Sequence, residues 1–173
     1  MIQGNAALTA PEADEREPES AGAKPFAVQT RFGEMQVDPG SILHMPRGLL
    51  GFSNLHDYAL ASLPPKRFGQ FQLLQSLEQP EVSFIVAPYD GDKGPIAADD
   101  VAEGFRALDI PPGAGALLLI VSIRKLGETT SVSVNLRAPI LVDARNRTAW
   151  QHVLANPEYP VRFPLTPSAA DAA

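Results

Sequence analysis

The sequence predicts a mainly β fold, a small barrel-like antiparallel β domain with one short α-helix. Between residues 26 and 154, apolar side chains mostly recur at every second position, which is the period of a half-buried strand. The chain also contains 17 prolines and 13 glycines, which favour many turns and short elements over long helices. Its 173 residues suffice for one domain with a substantial hydrophobic core.

The predicted strands are short and are separated by proline, glycine or asparagine. The first, FAVQTRF at 26–32, is followed by a predicted turn at Gly33-Glu34 into MQVD, which indicates a hairpin. The continuous apolar run ALLLIVSI at 116–123 is typical of a strand buried on both faces. The other predicted strands are ILHM (42–45), YALASL (58–63), FQLLQSL (71–77), VSFIVAP (82–88), TSVSVNLRA (130–138), PILVDA (139–144) and TAWQHVL (148–154).

One segment, ADDVAEGFRALDIPPG, departs from the strand pattern and predicts the helix. Val101, Phe105 and Leu108 recur at helical spacing. An aspartate at 99–100 is expected to cap the start of this helix, and the Pro-Pro-Gly sequence at 111–113 is expected to end it.

The composition divides the chain into a central domain and two tails. Residues 1–24 are rich in Ala, Glu, Pro and Gly and contain no aromatic residue, so we expect a disordered acidic tail. Residues 25–165 are predicted to form the β-barrel domain, and residues 166–173 a flexible C-terminal tail. Because residues 1–23 hold five acidic residues and one arginine, the rest of the chain is nearly neutral, although the formal net charge is −6.

Charge and composition also exclude several classes of function. The domain lacks a block of basic residues, so direct nucleic-acid binding is not expected. No apolar run approaches the roughly 20 residues of a membrane span, and the N-terminal residues lack the basic start and apolar run of a signal peptide. The absence of cysteine excludes disulfides and thiolate metal sites. We therefore expect a cytoplasmic protein that is monomeric when free.

Candidate catalytic residues do not form a convincing set. The histidines at 44, 56 and 152 are far apart in sequence, which favours surface or strand-face positions over a metal site. Ser53, His56 and Asp57 are superficially like a hydrolase set, but catalytic triads are assembled from separate elements, so we interpret them as a polar turn. These observations predict a non-catalytic binding protein without a cofactor. The alternative is a small-ligand-binding or hydrolytic β-barrel enzyme.

The stretch MPRGLLGF at 45–52 combines glycine and proline with large apolar side chains. The glycines and the proline can fix a turn, while Met45, Leu49 and Phe52 are expected to hold it against the barrel core. A rigid loop of this kind lowers the ordering cost of binding a partner. A purely structural plug at the end of the barrel is the alternative interpretation.

Three motifs, in this order, resemble the flagellar assembly factor FliW family. The resemblance runs from about Phe26 to Leu165, which is nearly all of the predicted domain. The first motif is a Phe-Gly hairpin followed by a Pro-x-Gly-x-x-Gly-Phe turn, the second joins Gln-Ser to an acid, a proline and a Phe, and the third is Asn-Leu followed by Ala-Pro-Ile. The matching residues are Phe32, Gly33, Pro46, Gly48, Gly51 and Phe52; Gln75, Ser76, Glu78, Pro80 and Phe84; and Asn135, Leu136, Ala138, Pro139 and Ile140.

This resemblance implies a small non-enzymatic β-barrel with two protein partners. The first is flagellin, whose terminal helices the family protects before export, and the second is the RNA-binding regulator CsrA. The implied mechanism is partner switching, in which flagellin and CsrA compete for the protein. The partner-binding residues implied by the motifs are Arg47, Leu49, Gln75, Glu78, Asn135 and Arg137.

Three positions depart from the family pattern. Arg47 stands where the family often has an acid, Leu50 where proline is common, and Gln79 where the family frequently has Asp. The loss of two acids weakens the case that basic CsrA is recognised at these positions.

Alternation predicts two faces for the strand that contains the third motif. Val132, Val134 and Leu136 are expected to point inward, and Ser133, Asn135 and Arg137 outward. Pro139 interrupts the strand, so the amide of Asn135 either satisfies a freed backbone group or meets a partner. Arg137 is expected to be an outward charge whose removal costs little stability.

Overall fold

The computed structural model describes residues 23–63, 70–91 and 93–165. The strands are β1 Phe26–Thr30, β2 Gly33–Val37, β3 Ile42–His44, β4 Asp57–Ser62, β5 Gln72–Ser76, β6 Ser83–Pro88, β7 Gly115–Leu126, β8 Thr129–Val134, β9 Ile140–Asp143, β10 Thr148–Gln151 and β11 Phe163–Pro164. The helix α1 spans Ala98–Ala107, and a 3-10 turn spans Pro39–Ser41. Within these residues, no helix is both long and apolar enough to span a membrane.

Seven strands close into a barrel in the order β7-β6-β5-β4-β3-β10-β9, with β9 pairing back onto β7. Neighbouring strands are antiparallel except β3 and β10, which are parallel. The 12-residue strand β7 makes closure possible because its first part pairs with β9, its middle with β6 and its last part with β8. The predicted mainly β, barrel-like fold with one helix is confirmed.

Alternation along the strands produces two apolar layers. The interior of the barrel is filled by one cluster that includes Tyr58, Leu74 and Ile140. The second cluster covers the outer wall, where Leu119 and Leu141 pack beneath α1 and the C-terminal strand β11. Burial of each such side chain contributes about 1.5–3 kcal/mol to folding.

The helix lies against the outer wall of the barrel through two glycines. A Cβ atom at Gly104 would lie 2.9 Å from a methyl group of Leu141, and one at Gly115 would lie 2.6 Å from the ring of Phe105. The predicted aspartate cap was wrong. Ala97 occupies the N-cap, and the aspartates at 99 and 100 lie inside the first turn, where their charges favour the helix dipole.

The boundaries of several elements differ from the prediction. The β1–β2 hairpin turns at Arg31 and Phe32, so Gly33, whose φ is 107°, begins β2. Strand β8 ends at Val134 rather than at residue 138, because the chain then leaves β7 and crosses to β9. The predicted tails, residues 1–24 and 166–173, lie outside the described residues except for positions 23 and 24.

Candidate functional site

Strand direction brings one segment from each of the three motifs to the same end of the barrel, while the Phe-Gly hairpin of the first motif lies in the separate β1–β2 sheet. Strands β3 and β5 run toward this end and β4 and β6 run away from it, so the loops 45–56 and 77–82 lie side by side. Strand β9 starts at the same end because it is antiparallel to β10, which is parallel to β3, and segment 135–139 leads into it. These three segments, 45–56, 77–82 and 135–139, are called the motif rim below.

The first loop of the rim has a fixed backbone. The amide of Gly48 donates to the carbonyl of Met45 at 3.0 Å, that of Phe52 to Leu49 at 2.8 Å, and that of Leu55 to Phe52 at 3.1 Å. Gly48 has a φ of 61°, and a Cβ atom there would lie 2.3 Å from the carbonyl oxygen of Phe52. The loop therefore requires glycine at this position.

Two adjacent leucines of the same loop differ in burial. Leu49 is 2% exposed and belongs with Met45 to the interior cluster, and the ring of Phe52 meets that of Phe84 edge-on at 5.3 Å. The prediction that these side chains hold the loop against the core is confirmed. Leu49 as a partner contact stays a prediction, and its side chain is buried in the structure. Leu50, noted in the sequence only as a departure from the family, is 62% exposed.

Gln75 as a partner contact also stays a prediction. Its side chain is fully buried, and its amide nitrogen donates to the carbonyls of Ser76 and Pro80, both at 3.0 Å, and of Val82 at 3.2 Å. Gln75 therefore shapes the loop 77–82 from below. Alternation indicates on which face such a side chain lies, but it gives no information about the loop that covers it.

Glu78 ties the first loop of the rim to the second while remaining exposed. Its two carboxylate oxygens accept from the backbone amide of His56 at 2.7 and 3.1 Å, and one of them accepts from that of Asp57 at 3.3 Å. Arg47 is exposed on the neighbouring loop. Of the six residues implied by the motifs, these two present charged side chains on the rim.

The polar turn at 53–57 has its own hydrogen bonds. Asp57 pairs with His44 at 2.8 Å, and Nδ1 of His56 lies 3.0 Å from the carbonyl oxygen of Met45. His56 and Asp57 bond to different groups, and among the described residues no hydrogen bond joins Ser53 to either of them as in a hydrolase set. The interpretation of this stretch as a polar turn is confirmed.

The third segment is held in place by both of its implied residues. The side-chain oxygen of Asn135 accepts from the amide of Ala138 at 3.1 Å, so it closes the turn before Pro139. Arg137 is half-buried and donates to the carbonyl of Asn156 at 2.7 Å. The expectation that Arg137 is an unengaged outward charge was wrong, because the chain returns over it after β10. Ser133, also expected outward, is buried beside β7 and β11.

Gln151, which no motif contains, joins the first and third segments. Its side-chain oxygen accepts from the backbone amide of Leu50 at 2.8 Å, and its nitrogen donates to the carbonyl of Ala138 at 3.3 Å. Val153, two residues later, is 48% exposed, and the amide of Leu154 donates to the carbonyl of Arg137 at 3.0 Å. The rim is thus one connected surface, on which Leu50 is exposed and which the segment with the exposed Val153 borders.

A buried hydroxyl lies beneath the rim. The Tyr58 hydroxyl is enclosed in the interior cluster and has no hydrogen-bond partner within the described part of the chain. Burial, and to a lesser extent the carboxylate of Glu78, raises the pKa of Tyr58 to about 12.

Space for a small ligand lies outside the barrel rather than within it. The interior is occupied by apolar side chains, as in a packed core. An apolar groove of about 220 Å³ lies on the outer wall, lined in part by Tyr89, Leu119, Val134 and Phe163. This groove is formed by the outer-wall cluster, and the one motif-rim residue among the described residues that line it is Leu136.

Comparison with known proteins agrees with this architecture. The model of the family described as FliW protein matches residues 27–165. The chain is 33% identical over 136 residues to the flagellar assembly factor FliW of Geotalea uraniireducens (strain Rf4), covering 79% of this chain and 81% of that protein. It is 32% identical over 141 residues to the flagellar assembly factor FliW of Geobacter sulfurreducens (strain ATCC 51573 / DSM 12127 / PCA), covering 82% and 86%.

A solved structure shows the same fold. The crystal structure of a flagellar assembly factor FliW superposes with a TM-score of 0.64 at 24% sequence identity, covering 82% of this chain and 98% of that one. The overall fold is thus shared with that protein. With the family match over residues 27–165 and these relatives, the chain belongs to the FliW family of flagellar assembly factors.

Proposed function

We propose that this protein binds cytoplasmic flagellin before export and protects its terminal helices, with the motif rim as the contact surface. Membership of a family of flagellar assembly factors supports a role in flagellar assembly. The observation that favours the rim is Leu50, which is 62% exposed on a loop whose backbone is fixed and whose other leucines are buried.

The geometry suits an amphipathic helix as the ligand. Before assembly, the terminal segments of flagellin carry apolar stripes without a partner, and such stripes bind to surfaces that offer apolar anchors within a polar border. Leu50 and Val153 supply exposed apolar side chains, while Arg47 and Glu78 supply charges around them. Because the loop is already ordered, little of the binding free energy is lost in fixing it.

The test is a titration of purified flagellin against the Leu50→Asp variant. Burial of a leucine is worth about 1.5–3 kcal/mol, so we expect the affinity to fall by at least roughly tenfold. The backbone of Leu50, which donates to Gln151, is unchanged by this substitution, so the melting temperature should remain close to that of the parent.

Phe32→Asp is the matched control. Phe32 is equally exposed, at 62%, but it lies in the separate β1–β2 hairpin. The Phe32→Asp variant should bind flagellin like the parent protein. If Leu50→Asp binds flagellin as tightly as Phe32→Asp does, the rim is not the flagellin-binding surface. If the parent itself does not bind flagellin, the proposed function is wrong.

We also propose that the protein antagonises CsrA by partner switching. The second loop of the rim exposes Glu78 and Glu81, which provide negative charge for a basic partner. Arg47 on the neighbouring loop reduces this negative charge. Competition between CsrA and flagellin follows if the two ligands share the rim.

A further inference from the structure

Strands β7 and β8 continue beyond the barrel as a ribbon, defined here as residues 122–133, which the C-terminal strand β11 and Leu165 join only at Ser133 and Val132. The two strands remain paired from Val121↔Val134 to Leu126↔Thr129. Pairing of β7 with β6 ends at Val121, so in the part of the chain that the structure describes no strand pairs with the other edge of β7 from 122 to 126.

The backbone groups at this open edge can be assigned from the register. The amide of Asn135 donates to the carbonyl of Ile120, so Ile120 directs its backbone groups toward β8. Direction alternates along an antiparallel strand, so Ile123 and Lys125 direct their N–H and C=O groups to the open edge. An edge of this kind is a template for an additional strand.

The side chains along the edge have a symmetric pattern. Ile123 and Leu126 are exposed apolar residues, and Arg124 and Lys125 between them are exposed bases without an ion pair within the described residues. Ile123 and Lys125 lie on one face of the ribbon, and Arg124 and Leu126 lie on the other. Each face therefore offers one apolar side chain beside one positive charge.

We propose that the open edge of β7 at Ile123–Leu126 binds an extended segment of a partner protein by strand addition. The segment has four consecutive residues in the order apolar, acidic, acidic, apolar. The acids lie opposite Arg124 and Lys125, and the apolar residues lie opposite Ile123 and Leu126. Because the order is the same in both directions, the segment can add in parallel or antiparallel orientation.

A second copy of this chain does not meet these requirements. Antiparallel pairing of two identical edges centred on these bases places Arg124 opposite Arg124 or Lys125 opposite Lys125, and like charges directly opposite each other are destabilising. Basic residues on an open edge also prevent edge-to-edge association of natural sheets. The charge pattern therefore favours an acidic partner.

In the experiment, the full-length protein is titrated against fluorescently labelled eight-residue peptides. The test peptide carries Val-Asp-Glu-Val at its centre. The first comparison peptide carries Val-Lys-Lys-Val. The second carries Val-Asp-Glu-Val with N-methylated backbone amides, which cannot pair as a strand. We expect binding of the unmodified acidic peptide only, with an affinity that falls as salt is added.

The variant test is the double substitution Arg124→Glu with Lys125→Glu. Charge reversal replaces two attractions with two repulsions, so the affinity for the acidic peptide should fall roughly tenfold or more. The matched control is Arg106→Glu with Arg145→Glu, which makes the same change in net charge on α1 and on the β9–β10 turn, and it should bind like the parent.

Three results would overturn the proposal: no binding of the acidic peptide, equal binding of the N-methylated peptide, or self-association of the protein that the double substitution abolishes. The peptides replace any natural partner, so this test is independent of flagellin binding. A failure of the Leu50→Asp experiment leaves the strand-addition proposal standing, and the reverse also holds.

Discussion

At the scale of single residues, Leu49 and Leu50 show what sequence alone can predict and what it cannot. Both are apolar and adjacent, and the motif indicated a fixed turn held by apolar side chains, which is what the structure contains. Which leucine is buried is visible only in the folded loop, where Gly48 has a φ of 61°, Leu49 is 2% exposed and Leu50 is 62% exposed. Arg137 shows the same limit, because its partner Asn156 is 19 positions away in the chain.

The first prediction concerns the hydroxyl of Tyr58. Because it is buried without a partner among the described residues, Tyr58→Phe removes an uncompensated desolvation cost and should raise the free energy of unfolding by about 1 kcal/mol. Urea denaturation at neutral pH measures the difference. A lower stability of the variant would show that the hydroxyl makes a hydrogen bond.

The difference in folding stability between the parent and Tyr58→Phe should also depend on pH. The pKa of Tyr58 rises from 10.0 to about 12 on folding, so the neutral form is favoured in the folded state. The contribution of this pKa shift to the free energy of unfolding is fully present below pH 10 and is lost as the pH rises toward 12. We expect the parent to lose more stability than Tyr58→Phe over this interval. If the free energy of unfolding changes with pH in the same way for both proteins, Tyr58 does not have a raised pKa in the folded state.

At the scale of elements, the predicted strands and their order were largely confirmed because period-two alternation is a local signal. The turn of the β1–β2 hairpin was placed two residues too late, since glycine is suited both to a turn and to the first position after one. The burial of Gln75 was missed because it requires the loop 77–82 to fold back over β5. Gln151 could not be identified, because its role depends on the pairing of distant strands.

The second prediction compares two glycines of the first rim loop. Both have positive φ, 61° at Gly48 and 87° at Gly51, so alanine at either position costs about 1–2 kcal/mol from the backbone alone. Gly48→Ala also places its Cβ against the carbonyl of Phe52, whereas a Cβ at Gly51 has no atom within 4 Å. We expect Gly48→Ala to be clearly the less stable variant in chemical denaturation. Equal losses would mean that the loop relaxes around the added methyl group.

At the scale of the whole molecule, closure of the barrel is what assembles the candidate site. The sequence predicted the barrel and the three motifs, but their meeting at one end follows from the pairing of β9 with β7 and of β10 with β3. No local pattern encodes those pairings. The sequence therefore indicated the motif loops, while the selection of Arg47, Glu78 and Leu50 as exposed residues required the folded chain.

The third prediction tests partner switching on the intact protein. A preformed complex with purified CsrA should release CsrA when flagellin is added, since both ligands are proposed to occupy the rim. Size-exclusion chromatography of the mixture measures the release. The Phe32→Asp variant should behave like the parent, and a stable complex containing all three proteins would exclude competition.

The hydrogen bond between Leu50 and Gln151 joins positions 101 residues apart. During synthesis, the first rim loop leaves the ribosome long before the strand that fixes it. Contacts of such large sequence separation form late in folding, because their loop-closure entropy must be met first. A nascent chain that ends before β10 therefore lacks the support that holds Leu50 in place. The first rim loop therefore acquires this support only after β10 has been synthesised.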